Sequence, residues 1–502
     1  MKTFSMDSSS PCRVLLVDLN NFSLHPTMAI GYLTSTLRNK GMSVTVLSPL
    51  AHGIDGVFRE PEETLAANLG RRINFATAQV PLRITQAGRR WTASTVKRWS
   101  QRQHSEIVRA FQQITLKDYD VVLVSAYLMY FSVCEEIGKI CANHKVPLLI
   151  GGSYMAQSSI IENWLKIPGI TALVVGEVEL EIADLVSAVV AGEDISSIPG
   201  VCLVDGYCSG PRSPLKDLDA VPFPDYSDFP WQKYPQKIIP IMTGRGCGWG
   251  ACTFCADVTS TSGRTFRSRS PDNVLSEIQY QSERFDTSLF AFADIKLNSD
   301  LNVWYKIINE IKSVAPNPQW IGSVHVGLED DNGLSYETLA QARDAGCLRL
   351  TTGLESGSQR ILDAFAKGTS LEITSQFLRN AAKAGISMRV TMIHGSPGET
   401  TEDVEASAQF LREHVDFIDR VRLSRFLIMV GTTFQRRYEE KRDRYPDIIV
   451  SDREEGAKII DHRKTNTASW SYFKATQRLL GVVSTINQKK LPTPADIFEG
   501  VL

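Results

Sequence analysis

Three cysteines stand close together in RGCGWGACTFC, residues 245–255: Cys247, Cys252 and Cys255, in a C-x4-C-x2-C spacing. Thiolates at that spacing serve metals or redox chemistry. A closed zinc site needs four protein ligands, and the nearest other candidates, Cys208 upstream and His325 downstream, are not at finger spacing. A thioredoxin-type C-x2-C pair would leave Cys247 idle. Three core cysteines is the plainest alternative, and the polar, glycine-rich setting speaks against it. An iron–sulfur cubane held by three thiolates keeps one iron open to a substrate or cofactor, and that is the chemistry expected here.

The elements that must position this loop are legible around it. Strands are predicted at IIPIMT, SLFAFA, WIGSVHV, LRLTTG, SMRVTMI and VRLSRFLI, separated by helices such as PDNVLSEIQYQSERF, NVWYKIINEIKSV and ITSQFLRNAAKAG. Six βα units predict a partial (β/α)6 barrel over 237–430, with the cysteines directly after its first strand, on the face where barrel chemistry occurs. Ser270 before Pro271 reads as a helix start, and Gly346 and Gly385 as helix stops.

Upstream, RVLLV, SVTVL, VVLVS, PLLIG and TALVV alternate with helical patterns, which predicts an α/β, doubly wound, Rossmann-like domain over 1–215. Its ligands belong at the strands' carboxyl ends. A basic helical insert is expected near 59–115, a Pro- and Asp-rich linker at 216–236, and a less patterned extension at 431–502.

Lys plus Arg (54) nearly balances Asp plus Glu (56), and 43% of residues are hydrophobic, so neither a nucleic-acid partner nor a disordered chain is favoured. No apolar run reaches membrane-span length, and MKTFSMDSSSPCR lacks the apolar core of a secretory signal; no membrane partner and a cytoplasmic location are expected. Nine cysteines with one tight cluster read as reduced thiols or metal ligands rather than a disulfide framework.

The cysteine loop resembles that of the radical S-adenosylmethionine enzymes. Their usual C-x3-C-x2-C carries one residue fewer, but the Trp-Gly insert matches a cobalamin-binding branch with a C-x-W-G-x-C-x-F-C form. The resemblance implies a 4Fe-4S cluster on Cys247, Cys252 and Cys255, S-adenosylmethionine chelated by the open iron, and its cleavage to a 5'-deoxyadenosyl radical. It further implies S-adenosylmethionine contacts from Phe254 beside the adenine and from Asp294, Glu355, Ser356, Gly395 and Pro397 at strand ends, with Arg389 pairing the methionine carboxylate. Each also has a structural reading: core aromatic, helix cap, turn, surface arginine.

The first domain resembles the cobalamin-binding domain of that branch over roughly 11–210. The resemblance places Ser125, Tyr127, Gly151, Gly152, Ser153, Gly176 and Glu177 around cobalamin, although glycines there also suit ordinary turns. The D-x-H-x-x-G motif of other cobalamin proteins would put histidine where this chain has Asn20, so cobalt is not expected to take a histidine from that loop; His25 is the nearest alternative. The implied function is methyl transfer to an unactivated carbon of a small-molecule or peptide substrate, with electrons from a donor such as flavodoxin or ferredoxin. Radical rearrangement, cyclisation or ring contraction, and a non-catalytic cobalamin sensor, stay open. The tRNA-methylthiolating branch is disfavoured, since Cys12, Cys134 and Cys141 do not suit its second cluster.

Overall fold

The computed structural model describes residues 11–19, 24–56, 64–79, 101–153, 155, 157–256, 266–328, 332–450, 459–465, 469–491 and 494–501. Asn20 and most of RRWTASTVKRWSQRQ fall outside them. The chain divides into two compact units, one from Met1–Phe58, Arg98–Pro235 and Ser260–Ser262, the other from Arg59–Lys97, Gln236–Thr259 and Gly263–Leu502.

In the first unit, β1 (Arg13–Asp18), β2 (Ser43–Leu47), β3 (Val121–Ser125), β4 (Leu148–Gly151), β5 (Ala172–Val174) and β6 (Val201–Leu203) form one sheet in the order 2-1-3-4-5-6. All pairs are parallel except β5–β6, and β6 had no counterpart among the predicted strands. Val14 to Val17 and Val121 to Val124 are buried on both faces, as continuous apolar runs in a helix-covered parallel sheet must be. Among the described residues, five helices belong here: α1 (Met28–Asn39), α3 (helical over 101–112), α4 (Phe131–His144), α5 (Ser158–Trp164) and α6 (Ile182–Ala191). Helix α4 packs Val133, Cys134, Ile137 and Cys141 into the core, so two of the cysteines act as small hydrophobes, their thiols pushed up by burial. Cys202 and Cys208 form a disulfide across the β6 hairpin, where reduced thiols or metal ligands were expected.

The expected linker is instead a strap on this unit. Tyr226 is fully buried, Asp225 N–H donates to Gly31 O (2.9 Å), and Arg38 at the end of α1 pairs with Asp225 and Asp228, each at 2.8 Å. Gly31 is required beneath it: a Cβ there would lie 2.5 Å from the Tyr226 ring.

The second unit contains β7 (Ile238–Ile241), a short pair β8 (Gly244–Arg245) and β9 (Arg267–Ser268), then β10 (Leu289–Phe292), β11 (Gln319–Val324), β12 (Cys347–Glu355), β13 (Ser387–His394) and β14 (Arg420–Arg425). The six long strands pair in parallel and in chain order, 7-10-11-12-13-14, with β7 and β14 as edges: the partial barrel. Its helices are α7 (Pro271–Phe285), α8 (Leu301–Val314), α9 (Tyr336–Asp344), α10 (Gln359–Ala364), α11 (Leu371–Lys383) and α12 (Thr401–Glu413). Ser270 caps α7, accepting from Asn273 N–H. Gly346 and Gly385 follow α9 and α11 at φ +95° and +78°.

Two further elements complete this unit. Helix α2 (Leu65–Gln79), expected within an insert of the first domain, packs on the last helix: Arg72 reaches Gln477 (3.3 Å) and Phe75 lies 5.5 Å from the His394 ring. The extension forms α13 (Thr433–Glu440), the pairs β15–β17 (Ile428–Met429, Ile459–Ile460) and β16–β18 (Ile448–Val450, His462–Lys464), and α14 (Trp470–Asn487). The tail then returns to the amino ends of the strands, where buried Arg349 donates to Ala495 O and Phe498 O, and Arg349 and Arg420 both meet Glu499.

Candidate functional site

The cysteine loop leaves the barrel between β8 and β9, and its root is clamped by Asp294 at the end of β10. That carboxylate accepts from Thr243 N–H (3.1 Å), Thr243 Oγ1 (2.8 Å) and Gly244 N–H (2.9 Å). Burial pushes its pKa up to about 6 against the lowering by these donors. The returning strand is tied by Arg269, which donates to Met242 O (2.8 Å) and pairs with fully buried Glu277. Asp294 is therefore placed to hold the loop.

Within the loop, Gly248 N–H donates to Ser299 Oγ (3.2 Å) and Thr253 N–H to Phe365 O (2.9 Å). The indole of Trp249 donates from Nε1 to Ala366 O (2.9 Å) and stacks on His325, centroids 5.9 Å apart. It lies flat on Gly368, φ +64°, where a Cβ would come within 2.1 Å of it. The extra residue between the first two cysteines thus accompanies a clip onto the 365–368 turn.

That turn carries Lys367 into a buried position 3.1 Å from Glu355. Glu355 ends β12 in the left-handed region, φ +60°, beside a register shift at Gly353, and Thr391 Oγ1 also donates to it (3.4 Å). Such backbone in a β-carbon-bearing residue is strained and concentrates at functional sites. A Cβ on Gly353 would collide with both partners, 2.2 Å from Glu355 Oε1 and 2.5 Å from Lys367 Nζ. Burial alone would weaken the Lys367 proton, but Glu355, Cys252 and Cys255 outweigh it and hold the ammonium above its usual range. Burial pushes the Cys252 thiol up; Lys367 pulls it down, while Cys247 and Glu355 add to the rise.

His325, just past β11, is 8% exposed, and its Nε2 has no hydrogen-bond partner. Burial, then Lys367 and Lys296, push it down to about 3, so the imidazole is neutral. Its backbone is pinned by Asn298, which accepts from His325 N–H (3.0 Å) and donates to His325 O (3.1 Å).

The other expected contacts are distributed less evenly. Phe254 packs on Phe365, centroids 4.7 Å apart, at the edge of an apolar cluster with Phe426, Phe434 and Tyr438. Ser356 is buried and its Oγ accepts from Ser358 N–H (3.1 Å) beside Ser407. Gly395, φ +83°, donates its N–H to Glu399 (2.7 Å), which also accepts from Tyr472 OH (2.5 Å); Pro397 lies in the same turn. Nothing would obstruct a Cβ at Gly395 or Gly398, so both glycines are there for their backbone angle.

Arg389 must be corrected. It is the third residue of β13, three positions before the Met392 that pairs with Glu355, hence about 10 Å below it at 3.3 Å per residue. Its guanidinium reaches Val501 O (3.4 Å) in the tail at the amino ends of the strands, opposite the cysteine loop.

In the first unit, Ser125, Tyr127, Gly151, Gly152, Ser153, Gly176 and Glu177 all lie at or just beyond the carboxyl ends of β3, β4 and β5. Neighbouring β1 and β3 lead their connections in opposite directions, the switch point where open α/β sheets bind ligands. Gly152 is close to Ala126 O, which a Cβ would approach to 2.1 Å; Gly176 sits at φ +91°; Glu177 accepts from Leu215 N–H (2.8 Å). His25 directs Nδ1 at Pro26 O (2.9 Å).

Among the described residues, no group of three or more His, Cys, Asp or Glu side chains converges closely enough to hold one metal ion. The three half-buried thiols, none of them in a disulfide, therefore do not enclose a mononuclear site, whereas a cubane takes each thiolate on a different iron. The donor set and its adjacent buried cation fit a cluster. Sequence reasoning missed Lys367, Gly368 and Asn298, and read Trp249 only as part of the cysteine motif; the Lys-Gly step after a helix was the local signal for the turn.

Residues 241–411 match the radical SAM superfamily. The chain is 26% identical over 304 residues to an uncharacterised methyltransferase of Pyrococcus horikoshii, covering 59% of this chain and 64% of that protein. It is 26% identical over 302 residues to the anaerobic magnesium-protoporphyrin IX monomethyl ester cyclase of Cereibacter sphaeroides, covering 57% and 48%. It thus spans less than two thirds of these relatives' own lengths. Among solved structures, the radical S-adenosylmethionine methyltransferase TsrM of Kitasatospora setae, with cobalamin and a 4Fe-4S cluster bound, superposes with a TM-score of 0.66 at 17% identity, covering 96% of this chain and 93% of that one. The cobalamin-dependent radical enzyme OxsB gives 0.65 at 16% identity over 90% and 64%. At these identities the shared property is the fold. No helix among the described residues is long and apolar enough to cross a membrane.

Proposed function

Since residues 241–411 match the radical SAM superfamily, we propose that the chain is a cobalamin-dependent radical S-adenosylmethionine enzyme that methylates an unactivated carbon of a small-molecule or peptide substrate. The observation that carries the reading is the cysteine loop itself: three thiols outside any disulfide at the carboxyl end of the first barrel strand, clipped beside a buried lysine. When bound there, the cluster supplies the electron that splits the sulfonium cofactor into a hydrogen-abstracting radical.

The chain's own residues hold and orient. Cys247, Cys252 and Cys255 take the irons; Asp294 fixes the loop root; Glu355 and the Gly395–Pro397 turn present polar groups at neighbouring strand ends. Carboxyl-end loops of the first unit, from Ser125 to Glu177, would hold cobalamin, supported by the 2-1-3-4-5 strand order. Likeness to a cyclase keeps a second reading, cobalamin-dependent cyclisation without methyl transfer.

Anaerobic reconstitution with iron, sulfide and cobalamin, followed by metal counting and product analysis with S-adenosylmethionine, tests the reading. Four irons and one corrin per chain are expected. Fewer irons, or the same iron content after Cys247→Ala, Cys252→Ala and Cys255→Ala, overturns it; S-adenosylhomocysteine formed per turnover separates methylation from cyclisation.

A further inference from the structure

Lys367 is given no task above beyond lying beside the cysteine loop, yet the structure spends several contacts to place it. The 365–368 turn is bound to the cysteine loop at two points, Thr253 N–H to Phe365 O and Trp249 Nε1 to Ala366 O, both 2.9 Å. Ala366 before it is held at φ +53° and Gly368 after it at φ +64°. Gly353 leaves the space that its ammonium and the Glu355 carboxylate occupy. An ammonium so buried and so fixed, 3.1 Å from one carboxylate, acts on whatever charge lies next to it without screening by water.

We propose that Lys367 and Glu355 form a redox-setting charge pair for the iron–sulfur cluster, Lys367 favouring its reduced form and Glu355 opposing it. This rests on the cluster assignment above. Reduction adds one electron to the cluster from an external low-potential donor, and no bond changes at Lys367. A neighbouring fixed cation stabilises the extra negative charge, so its removal lowers the midpoint; removal of the carboxylate raises it.

The test is an EPR-monitored dithionite titration of the reconstituted holoprotein without S-adenosylmethionine. Lys367→Met is expected to lower the reduced-to-oxidised ratio at fixed potential at least tenfold, a midpoint shift of about 59 mV for one electron. Glu355→Gln is expected to shift the midpoint upward, Lys367→Arg to keep it, and the Lys367→Met/Glu355→Gln pair to fall between the single variants. Unmoved midpoints in Lys367→Met and Glu355→Gln, or shifts of the same sign in both, overturn the proposal while leaving the cluster assignment intact. Should Lys367→Met not assemble a cluster, the sign of the Glu355→Gln shift decides alone: upward supports, unchanged or downward overturns. A wild-type chain that holds no cluster sinks both.

Discussion

Gly368→Ala should release the cysteine loop from its clip. Two costs add up. An alanine at φ +64° costs roughly 1–2 kcal/mol relative to the right-handed regions. Its Cβ, 2.1 Å from the Trp249 ring, evicts the indole and with it the 2.9 Å hydrogen bond to Ala366 O, worth about 1 kcal/mol. The sum, about 2–3 kcal/mol, corresponds to roughly 30- to 150-fold more frequent opening of the loop at 1.4 kcal/mol per decade. Hydrogen–deuterium exchange of the peptide covering 245–256 reads this without any cofactor, because Thr253 N–H is protected by Phe365 O only while the loop is docked. Trp249→Ala should speed exchange there by a comparable factor. The Trp249→Ala/Gly368→Ala combination should be clearly less than additive, since the clash disappears with the indole. Unchanged exchange in Gly368→Ala, or strict additivity in the pair, would refute the clip.

Gly31→Ala should destabilise the first unit by about 1–3 kcal/mol through overpacking against Tyr226, although alanine is the better helix former, whereas Gly70→Ala, which meets open space in α2, should gain up to about 1 kcal/mol; urea unfolding distinguishes the signs. Glu499→Leu strands the Arg349 and Arg420 guanidiniums in the barrel floor and should cost about 3 kcal/mol, seen as a lower Tm; an unchanged Tm would show that the tail does not seal that floor. Asp294, raised to about 6 from an ordinary 3.8, contributes stability that is fully present below pH 3.8 and is lost as pH rises through about 6, roughly 3 kcal/mol in all at ~1.4 kcal/mol per unit. Denaturation at several pH values should therefore show a shallower decline for Asp294→Asn than for the wild type, and an identical decline would contradict the assignment.

The parts of the molecule that could be read from sequence are those fixed by local pattern. Runs such as RVLLV and VVLVS are strands because β-branched residues fill a surface buried on both faces, and Ser270-Pro271 starts a helix through its own side chain and ring. The thiols were legible because spacing alone limits what three of them can bind. Arg389 failed because a residue's distance along its strand decides which end of the barrel it serves, and composition is silent on that. Lys367 was invisible for another reason: its partner is twelve residues away across a turn, and only the packing of Trp249 on Gly368 brings the turn to the cysteines. Helix α2 was given to the wrong neighbour because an amphipathic stripe does not say which core will receive it.

The strap from Asp217 to Pro235 bears on how the first unit can be isolated. A fragment ended at residue 215, twelve residues after β6, would expose the bare side of α1 around Gly31 and leave Arg38 facing solvent without either aspartate. Truncations meant to capture that unit on its own should retain everything through Pro235, and urea unfolding of such a fragment beside the shorter one would show whether the stretch that reads as a linker in the sequence is a wall of the domain.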